Sequence, residues 1–181
     1  MSRERKNIVS YVAWLIIGTV LLVVFDQWTK HLAVTYLKGQ DSIVLIQGIL
    51  ELQYLENRGA AFGLLQNRQW LFYVMTVVMA AVIVWLYFKL PRIKKYLPCH
   101  LVGVVLLAGA FGNFIDRMRF QYVVDFIYFS LIDFPIFNVA DIYVTVSVAV
   151  IFILVLFVYK DEDYNFLSKK KANSENLNDD I

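Results

Sequence analysis

The sequence IVSYVAWLIIGTVLLVVF, residues 8–25, is an apolar run without a charged residue. As an α-helix it would be about 27 Å long, close to the roughly 30 Å thickness of a bilayer's hydrocarbon core. Arg3, Arg5 and Lys6 precede it, so a cleaved signal peptide is the alternative. The run is longer than the roughly 7–15 residues of a signal-peptide core and ends at Phe25 without a small-residue cleavage site. The pattern therefore predicts a retained membrane span.

Three further apolar runs follow, at residues 70–90, 101–115 and 142–159. The run at 101–115 is short and rich in Gly and Ala, which let helices approach closely inside a bilayer. Hydrophobic residues make up 60% of the chain, against roughly 45–50% in soluble domains, and the mean hydropathy is +0.60. We predict an all-α membrane protein with four transmembrane helices, in one domain over residues 1–160 with a polar cytoplasmic tail over residues 161–181.

The basic residues predict the orientation of these spans. With four crossings, one side of the membrane holds both termini and the loop between the second and third spans, and it carries 11 of the 17 Lys and Arg residues. Cytoplasmic segments carry the excess of basic residues, so we expect cytoplasmic N- and C-termini. The segments from Lys30 to Gln69 and from Asp116 to Ala140 would then face outward.

The first outward segment carries the pattern of a β-hairpin. Residues 50–54, LELQY, alternate apolar and polar side chains, which is the period of a half-buried strand. Gln47-Gly48 can form a turn between the apolar residues 43–46 and residues 50–54. We therefore predict a small extracytoplasmic β-sheet between helices 1 and 2. The chain beyond Asp161 is polar, and we expect a disordered tail there.

Several function classes have little support in the composition. A net charge of +2 and the lack of a basic stripe argue against nucleic-acid binding. Cys99 is the single cysteine, and His31 and His100 lie far apart, so no cluster with metal-ligand spacing is present. We expect no metal site and no cofactor.

Four aspartates, by contrast, lie near the predicted outer ends of the spans: Asp26, Asp116, Asp125 and Asp141. Asp125 stands between Val123-Val124 and Phe126-Ile127, where a carboxyl group needs polar partners. Two carboxyls in one apolar pocket share a proton, so one can activate water while the other protonates a carbonyl oxygen. This pairing would hydrolyse an amide without metal. Because a helix N-terminus favours an anion, we expect Asp141 to be the ionised member and Asp125 to hold the proton.

Each of these polar residues also has a purely structural interpretation. The alternatives are a position at the membrane interface or an i,i+4 pair with Lys30 for Asp26, a surface ion pair of Asp116 with Arg117, a helix N-terminal charge at Asp141, a turn at Asn57-Arg58-Gly59 and a helix–helix hydrogen bond at Asn113. A small transporter or assembly subunit is the rival function. An ion path would place acids near the middle of the membrane, whereas these cluster at one face. A presenilin-like protease would need Tyr-Asp and Gly-x-Gly-Asp within helices, and the sequence has neither.

Four blocks of sequence resemble those of the bacterial lipoprotein signal peptidases, also called signal peptidase II. Residues 26–30 (DQWTK) resemble that family's D-x-x-x-K block, and residues 57–63 (NRGAAFG) its N-x-G-A-A-F block. Residues 109–117 (GAFGNFIDR), followed by residues 123–126 (VVDF), resemble its single G-x-x-G-N-x-x-D-R…V-V-D-F block. Residues 137–141 (FNVAD) resemble its F-N-x-A-D block. The resemblance covers about residues 8–160.

The resemblance implies a membrane aspartic endopeptidase with Asp125 and Asp141 as its catalytic pair. Its substrates would be prolipoproteins carrying a diacylglyceryl cysteine, cut on the amino side of that cysteine. The residues implied to bind substrate or support the pair are Asp26, Lys30, Asn57, Arg58, Gly59, Asn113, Asp116, Arg117, Asn138 and Ala140. The resemblance further implies a multi-pass protein of the bacterial cytoplasmic membrane, contact with membrane lipids and inhibition by globomycin. We expect a monomer that does not bind nucleic acid.

Overall fold

A computed structural model describes residues 3–59 and 68–167, with side chains from residue 8 onward. The main elements are α1 (Arg3–Leu37), β1 (Ile43–Ile46), β2 (Leu50–Asn57), α2 (Gln69–Lys89), α3 (Leu97–Phe120), β3 (Val123–Tyr128) and α4 (Val139–Ile153). The described part contains four helices that are long and apolar enough to cross a membrane. The predicted four-helix membrane fold with a small sheet is confirmed, while its orientation remains a prediction.

Helix α1 does not end at Phe25, where the predicted first span ended. It has 35 residues and continues to Leu37. Asp26 and Lys30, which interrupt the apolar run, are buried against other helices at 0% and 3% exposure. Because their charges are paired inside the protein, these residues can lie within the helix, and α1 continues past them. The end of the hydrophobic run was therefore the wrong boundary for the helix.

Helix α3 is likewise longer than the apolar run at 101–115 from which the third span was predicted. It has 24 residues, with a proline in its first turn, where the fixed φ of proline suits a helix start. It ends at Phe120 and is followed by Gln121, which has a left-handed φ of 63°. The polar residues that follow the run were excluded from the predicted span, but one of them, Asp116, is buried in this helix. Helix α4 continues as a π-helical turn over Leu154–Val158.

Helix α3 is the central element of the bundle, and α1, α2 and α4 all pack against it. The main apolar cluster joins Leu15 of α1, Tyr87 of α2 and Leu107 of α3. A Cβ atom at Gly109 would lie 2.7 Å from the backbone oxygen of Ala140. The two helices therefore meet at a distance that only glycine permits at this position.

The sheet lies at the end of the bundle where α1 and α3 finish. Its strands are antiparallel in the order β1-β2-β3. The predicted hairpin is confirmed, and Gly48 in its turn has a φ of +70°. Ala33 and Leu37 of α1 pack against Val124 and Phe126 of β3. This contact fixes the sheet on the end of α1.

Strand β3 was not predicted from the sequence. Its first four residues, 123–126, are all buried, so they lack the alternation by which a half-buried strand is detected. The backbone N–H of Ile127 donates to the carbonyl of Phe137 at 2.8 Å, and the N–H of Phe137 donates back at 3.0 Å. The chain after β3 thus returns to the strand before α4 begins, which brings Asp125 close to the start of α4.

The first residues of the predicted disordered tail are ordered. Asp161–Tyr164 forms a 3-10 turn that packs against the connection between α2 and α3. Lys95 Nζ lies 2.5 Å from Asp163 Oδ1, and the Tyr96 hydroxyl donates to the Asp163 carbonyl at 2.8 Å. Disorder was therefore the wrong expectation for this turn, because the side chains of the loop supply its partners. Residues 168–181 lie outside the described residues.

Candidate active site

A cavity of about 880 Å³ opens at the sheet end of the bundle. It is bounded by β2, β3, the connection after β3, and the ends of α2, α3 and α4. Its charged lining residues are Arg117, Asp125 and Asp141. The two acids that the sequence pairs thus face one cavity, although one is carried by a strand and the other by a helix.

Asp125 is held inside the protein at 1% exposure. Asn57 Nδ2 donates to its Oδ2 at 2.8 Å, and Asn138 Nδ2 donates to its Oδ1 at 2.6 Å. Burial, and secondarily the negative charge of Asp141, raises the pKa of Asp125 to about 7, whereas the two asparagine hydrogen bonds act to lower it. At neutral pH the group is therefore balanced between its acid and its anion.

Asp141 is fixed by the way α4 begins. The Asn138 side-chain oxygen accepts from the Asp141 backbone N–H, and Asp141 Oδ2 accepts from the Asn138 N–H, both at 3.1 Å. This reciprocal arrangement is a capping box, which satisfies two free donors of the first turn. The helix-terminal role considered for Asp141 is thus present. Its other oxygen, Oδ1, accepts from Asn113 Nδ2 at 2.8 Å.

Two amides, one half-buried on α3 and one buried at the start of α4, connect the two acids. Asn138 is 0% exposed, and its Nδ2 donates both to Asp125 and, at 3.1 Å, to Asn113 Oδ1. Asn113 in turn donates to Asp141. Because each amide oxygen is already accepting a hydrogen bond, each NH₂ group points toward a carboxylate. The helix–helix hydrogen bond considered for Asn113 is therefore also a contact to Asp141.

A buried ion triad, formed by Lys30 with Asp26 and Asp116, lies next to these amides. Lys30 Nζ lies 3.0 Å from Asp26 Oδ2 and 3.0 Å from Asp116 Oδ2. It also donates to Asn113 Oδ1 at 2.9 Å. The Asp26–Lys30 pair expected at i,i+4 exists, but it is buried rather than interfacial. The alternative surface pair of Asp116 with Arg117 is wrong, because Asp116 is 1% exposed and pairs with Lys30.

The two carboxylates of the triad also hold backbone groups of the elements that carry the acids. Asp26 Oδ1 accepts from the backbone N–H of Ala140 at 2.9 Å. Asp116 Oδ2 accepts from the backbone N–H of Val124 at 3.1 Å. Ala140 directly precedes Asp141, and Val124 directly precedes Asp125. The triad therefore fixes the backbone beside each acid, although none of its own residues lines the cavity.

Arg117 lies on the cavity wall without a carboxylate partner within 4.0 Å among the described residues. Its guanidinium group stacks over the Phe72 ring at 4.3 Å and donates to the Gly59 carbonyl at 3.4 Å. The N–H of Gly59 donates to Asn57 Oδ1 at 3.0 Å, which turns the Asn57 amide nitrogen toward Asp125. The turn considered at Asn57-Arg58-Gly59 therefore also orients a contact to the acid.

The predicted site residues thus fall into three groups. Asn57, Gly59, Arg117, Asp125 and Asp141 line the cavity. The network behind the cavity comprises Asp26, Lys30, Asn113, Asp116, Asn138 and Ala140, all of them buried except the half-buried Asn113. Arg58 belongs to neither group: it pairs with Glu56 at 3.1 Å on the exposed side of the sheet. Residues 60–63 of the second sequence block lie outside the described residues.

Sequence reasoning missed other members of the site. Gln27 Nε2 donates to Asp116 Oδ1 at 2.9 Å and to the Gly112 carbonyl at 3.1 Å. It lies within the first matched block, so its amide next to Asp26 was the available signal. Phe72 and Thr145 line the cavity, but their sequence surroundings are those of ordinary span residues.

Solved structures with the same fold define the class of protein. One, described as a bacterial membrane enzyme at 2.3 Å resolution, has a TM-score of 0.70, 34% identity, and coverage of 90% of this chain and 94% of its own. A second bacterial membrane enzyme, at 1.9 Å resolution, has a TM-score of 0.69, 35% identity, and coverage of 82% and 96%. The fold is therefore that of a multi-pass membrane enzyme.

Sequence comparison identifies the family. The profile of signal peptidase (SPase) II matches residues 18–157. The lipoprotein signal peptidases of Streptococcus pyogenes serotype M5 (strain Manfredo) and serotype M18 (strain MGAS8232) are each 39% identical over 149 residues, which is 82% of this chain and 95% of theirs. The chain belongs to the signal peptidase II family and is a membrane protease. The resemblance stated from the four sequence blocks is confirmed.

Proposed function

We propose that this protease is an aspartic endopeptidase that removes the signal peptide from diacylglyceryl-modified prolipoproteins. It cuts the bond on the amino side of the lipidated cysteine, and Asp125 and Asp141 are its catalytic residues. The observation that carries the proposal is the cavity itself, because the two acids line it together. Asp125 accepts a hydrogen bond from Asn138 and Asp141 accepts one from Asn113, and these two amides are hydrogen-bonded to each other.

The two acids divide the chemistry of amide hydrolysis between them. Ionised Asp141 takes a proton from a water molecule, and the resulting hydroxide forms a bond to the carbonyl carbon of the scissile amide. Protonated Asp125 donates its proton to the carbonyl oxygen, which gives a tetrahedral diol. Asp141 then gives its proton to the cysteine nitrogen while the C–N bond breaks and the diol loses a proton to Asp125. The pair ends in its starting state.

The surroundings of each acid support this division. A pKa of about 7 for Asp125 leaves a substantial protonated fraction at neutral pH. Asp141 lies at the start of α4, where the helix dipole favours the anion. The Arg117 guanidinium lies on the same cavity wall and has N–H groups that make no hydrogen bond to a described residue. We assign it to the substrate carbonyl, where it stabilises the negative charge that develops on oxygen.

The position of the cavity suits a lipid-anchored substrate. It lies at the ends of membrane helices, so the scissile bond can reach the acids while the acyl chains stay in hydrocarbon. Withdrawing acyl chains into water would cost about 0.8 kcal/mol for each methylene group. The excess of basic residues on the side that carries both termini supports a position of this cavity on the extracytoplasmic face of the bacterial cytoplasmic membrane.

The test is cleavage of a diacylglyceryl-modified prolipoprotein by the purified protein in lipid vesicles. Asp125→Asn and Asp141→Asn should each lower kcat at least about a hundred-fold, because each removes one half of the acid–base pair. Asp133→Asn is the matched control: this aspartate follows β3 but lies outside the cavity lining, and its variant should keep wild-type activity. Globomycin should inhibit the wild-type protein, and EDTA should not.

Two results would overturn the proposal. One is a correctly inserted Asp125→Asn or Asp141→Asn protein that cleaves at the wild-type rate. The other is loss of activity in EDTA that added metal restores, because the mechanism has no step for a metal ion.

A further inference from the structure

The cavity extends inward along α4 beyond the catalytic pair. Ile142, Thr145 and Val146 line this part of it. Thr145 follows Asp141 by four residues and so lies on the same helix face, about 6 Å further along the axis. A hydroxyl group is therefore present one helical turn deeper in the membrane than the proposed catalytic acid.

The Thr145 hydroxyl has no hydrogen-bond partner among the described residues. Two threonines of α1, by comparison, have partners: Thr29 donates to the Asp26 carbonyl at 2.7 Å, and Thr35 donates to the His31 carbonyl at 2.9 Å. Thr145 is instead exposed toward the cavity. A polar group without a partner is costly where hydrocarbon replaces water, so this hydroxyl is available to bind a ligand group.

Most residues that line the cavity with this hydroxyl are apolar. Phe129, Ile132 and Phe134 of the connection after β3 line the cavity together with Ile142 and Val146 of α4. Binding sites for apolar ligands commonly combine such walls with a few polar groups that fix the ligand's orientation. A ligand that matches this part of the cavity has hydrocarbon chains and a single hydrogen-bond acceptor near their origin.

We propose that Thr145 donates a hydrogen bond to an ester carbonyl of the diacylglyceryl group on the substrate cysteine. The proposal rests on the proposed function. In that substrate the ester oxygens follow the cysteine through a thioether and the glyceryl carbons, a distance comparable to one helical turn. When the scissile bond lies between Asp125 and Asp141, the esters reach the depth of Thr145 and the acyl chains continue along the apolar walls.

An ester carbonyl and a carbonyl of the signal peptide backbone are both acceptors, and a pair of substrates distinguishes them. One substrate carries the natural ester-linked chains, and the other carries ether-linked chains of equal length, which lack the carbonyl. Thr145→Val keeps the shape of the side chain and removes the hydroxyl. It should lower kcat/KM about five-fold on the ester substrate, the effect of one neutral hydrogen bond, and leave kcat/KM on the ether substrate unchanged.

Two variants serve as controls. Thr145→Ser retains the hydroxyl and should stay close to wild type on both substrates. Thr76→Val makes the same change on α2, outside the cavity lining, and should affect neither substrate.

The outcomes separate this inference from the function on which it rests. If Thr145→Val lowers kcat/KM equally on both substrates, the hydroxyl binds a peptide carbonyl and the ester assignment is wrong. If it lowers kcat/KM on neither substrate, Thr145 binds nothing and the inference is also wrong. In both cases cleavage by the wild-type protein leaves the proposed function intact. A wild-type protein that cleaves neither substrate would overturn the function and this inference together.

Discussion

Replacing Asn57 with alanine tests how the protein sets the proton affinity of its catalytic pair. Asn57 Nδ2 donates to Asp125 Oδ2 at 2.8 Å, and this hydrogen bond stabilises the ionised form of Asp125. The variant removes the donor from the end of β2 and leaves the other amide donor, Asn138, in place. The pKa of Asp125 should therefore rise above its value of about 7.

The size of the shift follows from the strength of the lost interaction. A hydrogen bond to a charged group contributes about 1.5–3 kcal/mol, and one pKa unit corresponds to about 1.4 kcal/mol. The shift should therefore be about one to two units. Cleavage requires the pair to hold one proton, and that proton is lost as the pH rises through the higher of the pair's two apparent pKa values. The basic limb of the pH–rate profile should move to higher pH by the same one to two units.

The measurement is kcat/KM for prolipoprotein cleavage between about pH 5 and 10, because its pH dependence reports the ionisation of the free enzyme. The height of the profile is expected to fall, since Asn57 also lines the cavity. The position of the basic limb is the decisive quantity. Gln53→Ala, on an exposed position of the same strand, should leave that limb where it is in the wild-type protein.

An unchanged limb in Asn57→Ala would show that Asp125 does not control the loss of the essential proton. A shift to lower pH would contradict the direction of the argument, because removing a donor cannot stabilise the carboxylate. Either result would refute the reasoning that assigns the shared proton to Asp125.

The remaining predictions concern the network behind the cavity. Lys30→Met leaves the carboxylates on either side of Lys30 buried and unpaired, which should cost about 3–5 kcal/mol of unfolding free energy; Lys38→Met, in an exposed pair at 51% side-chain exposure, should cost less than about 1 kcal/mol. Denaturant unfolding in detergent measures both, and equal effects would contradict the burial argument. At Gly112 a Cβ atom would lie 2.5 Å from Asp26 Oδ2, so Gly112→Ala should cost about 1–3 kcal/mol and most of the activity. Gly103→Ala, where the nearest contact would be 3.2 Å, should be milder, and a fully active Gly112→Ala protein would refute the contact.

The structure also explains why some predictions from sequence failed. The span boundaries at Phe25 and at residues 101–115 followed hydropathy alone, which counts a buried charge as a charge in water. Lys30 is 3% exposed and pairs inside the bundle, so α1 continues past it. Strand β3 was missed because residues 123–126 are buried on both faces, and a continuous apolar run does not reveal a strand by its period.

The sequence by itself determined the membrane class, the helices that cross the bilayer, the hairpin and the blocks that indicate the family. These features are local: hydrophobic length, alternation and turn residues act within a few residues of chain. The pairing of Asp125 with Asp141 was inferred from their apolar surroundings near the outer span ends, and the resemblance implied the same pair.

Tertiary structure alone decided how the site is held. The lysine between Asp26 and Asp116 and the amide orientations of Asn113 and Asn138 depend on contacts between residues far apart in the chain. The same holds for the cavity that places Thr145 beneath Asp141. These contacts are needed because the groups are removed from water, and a charged or polar group removed from water is stable only with a partner within the protein.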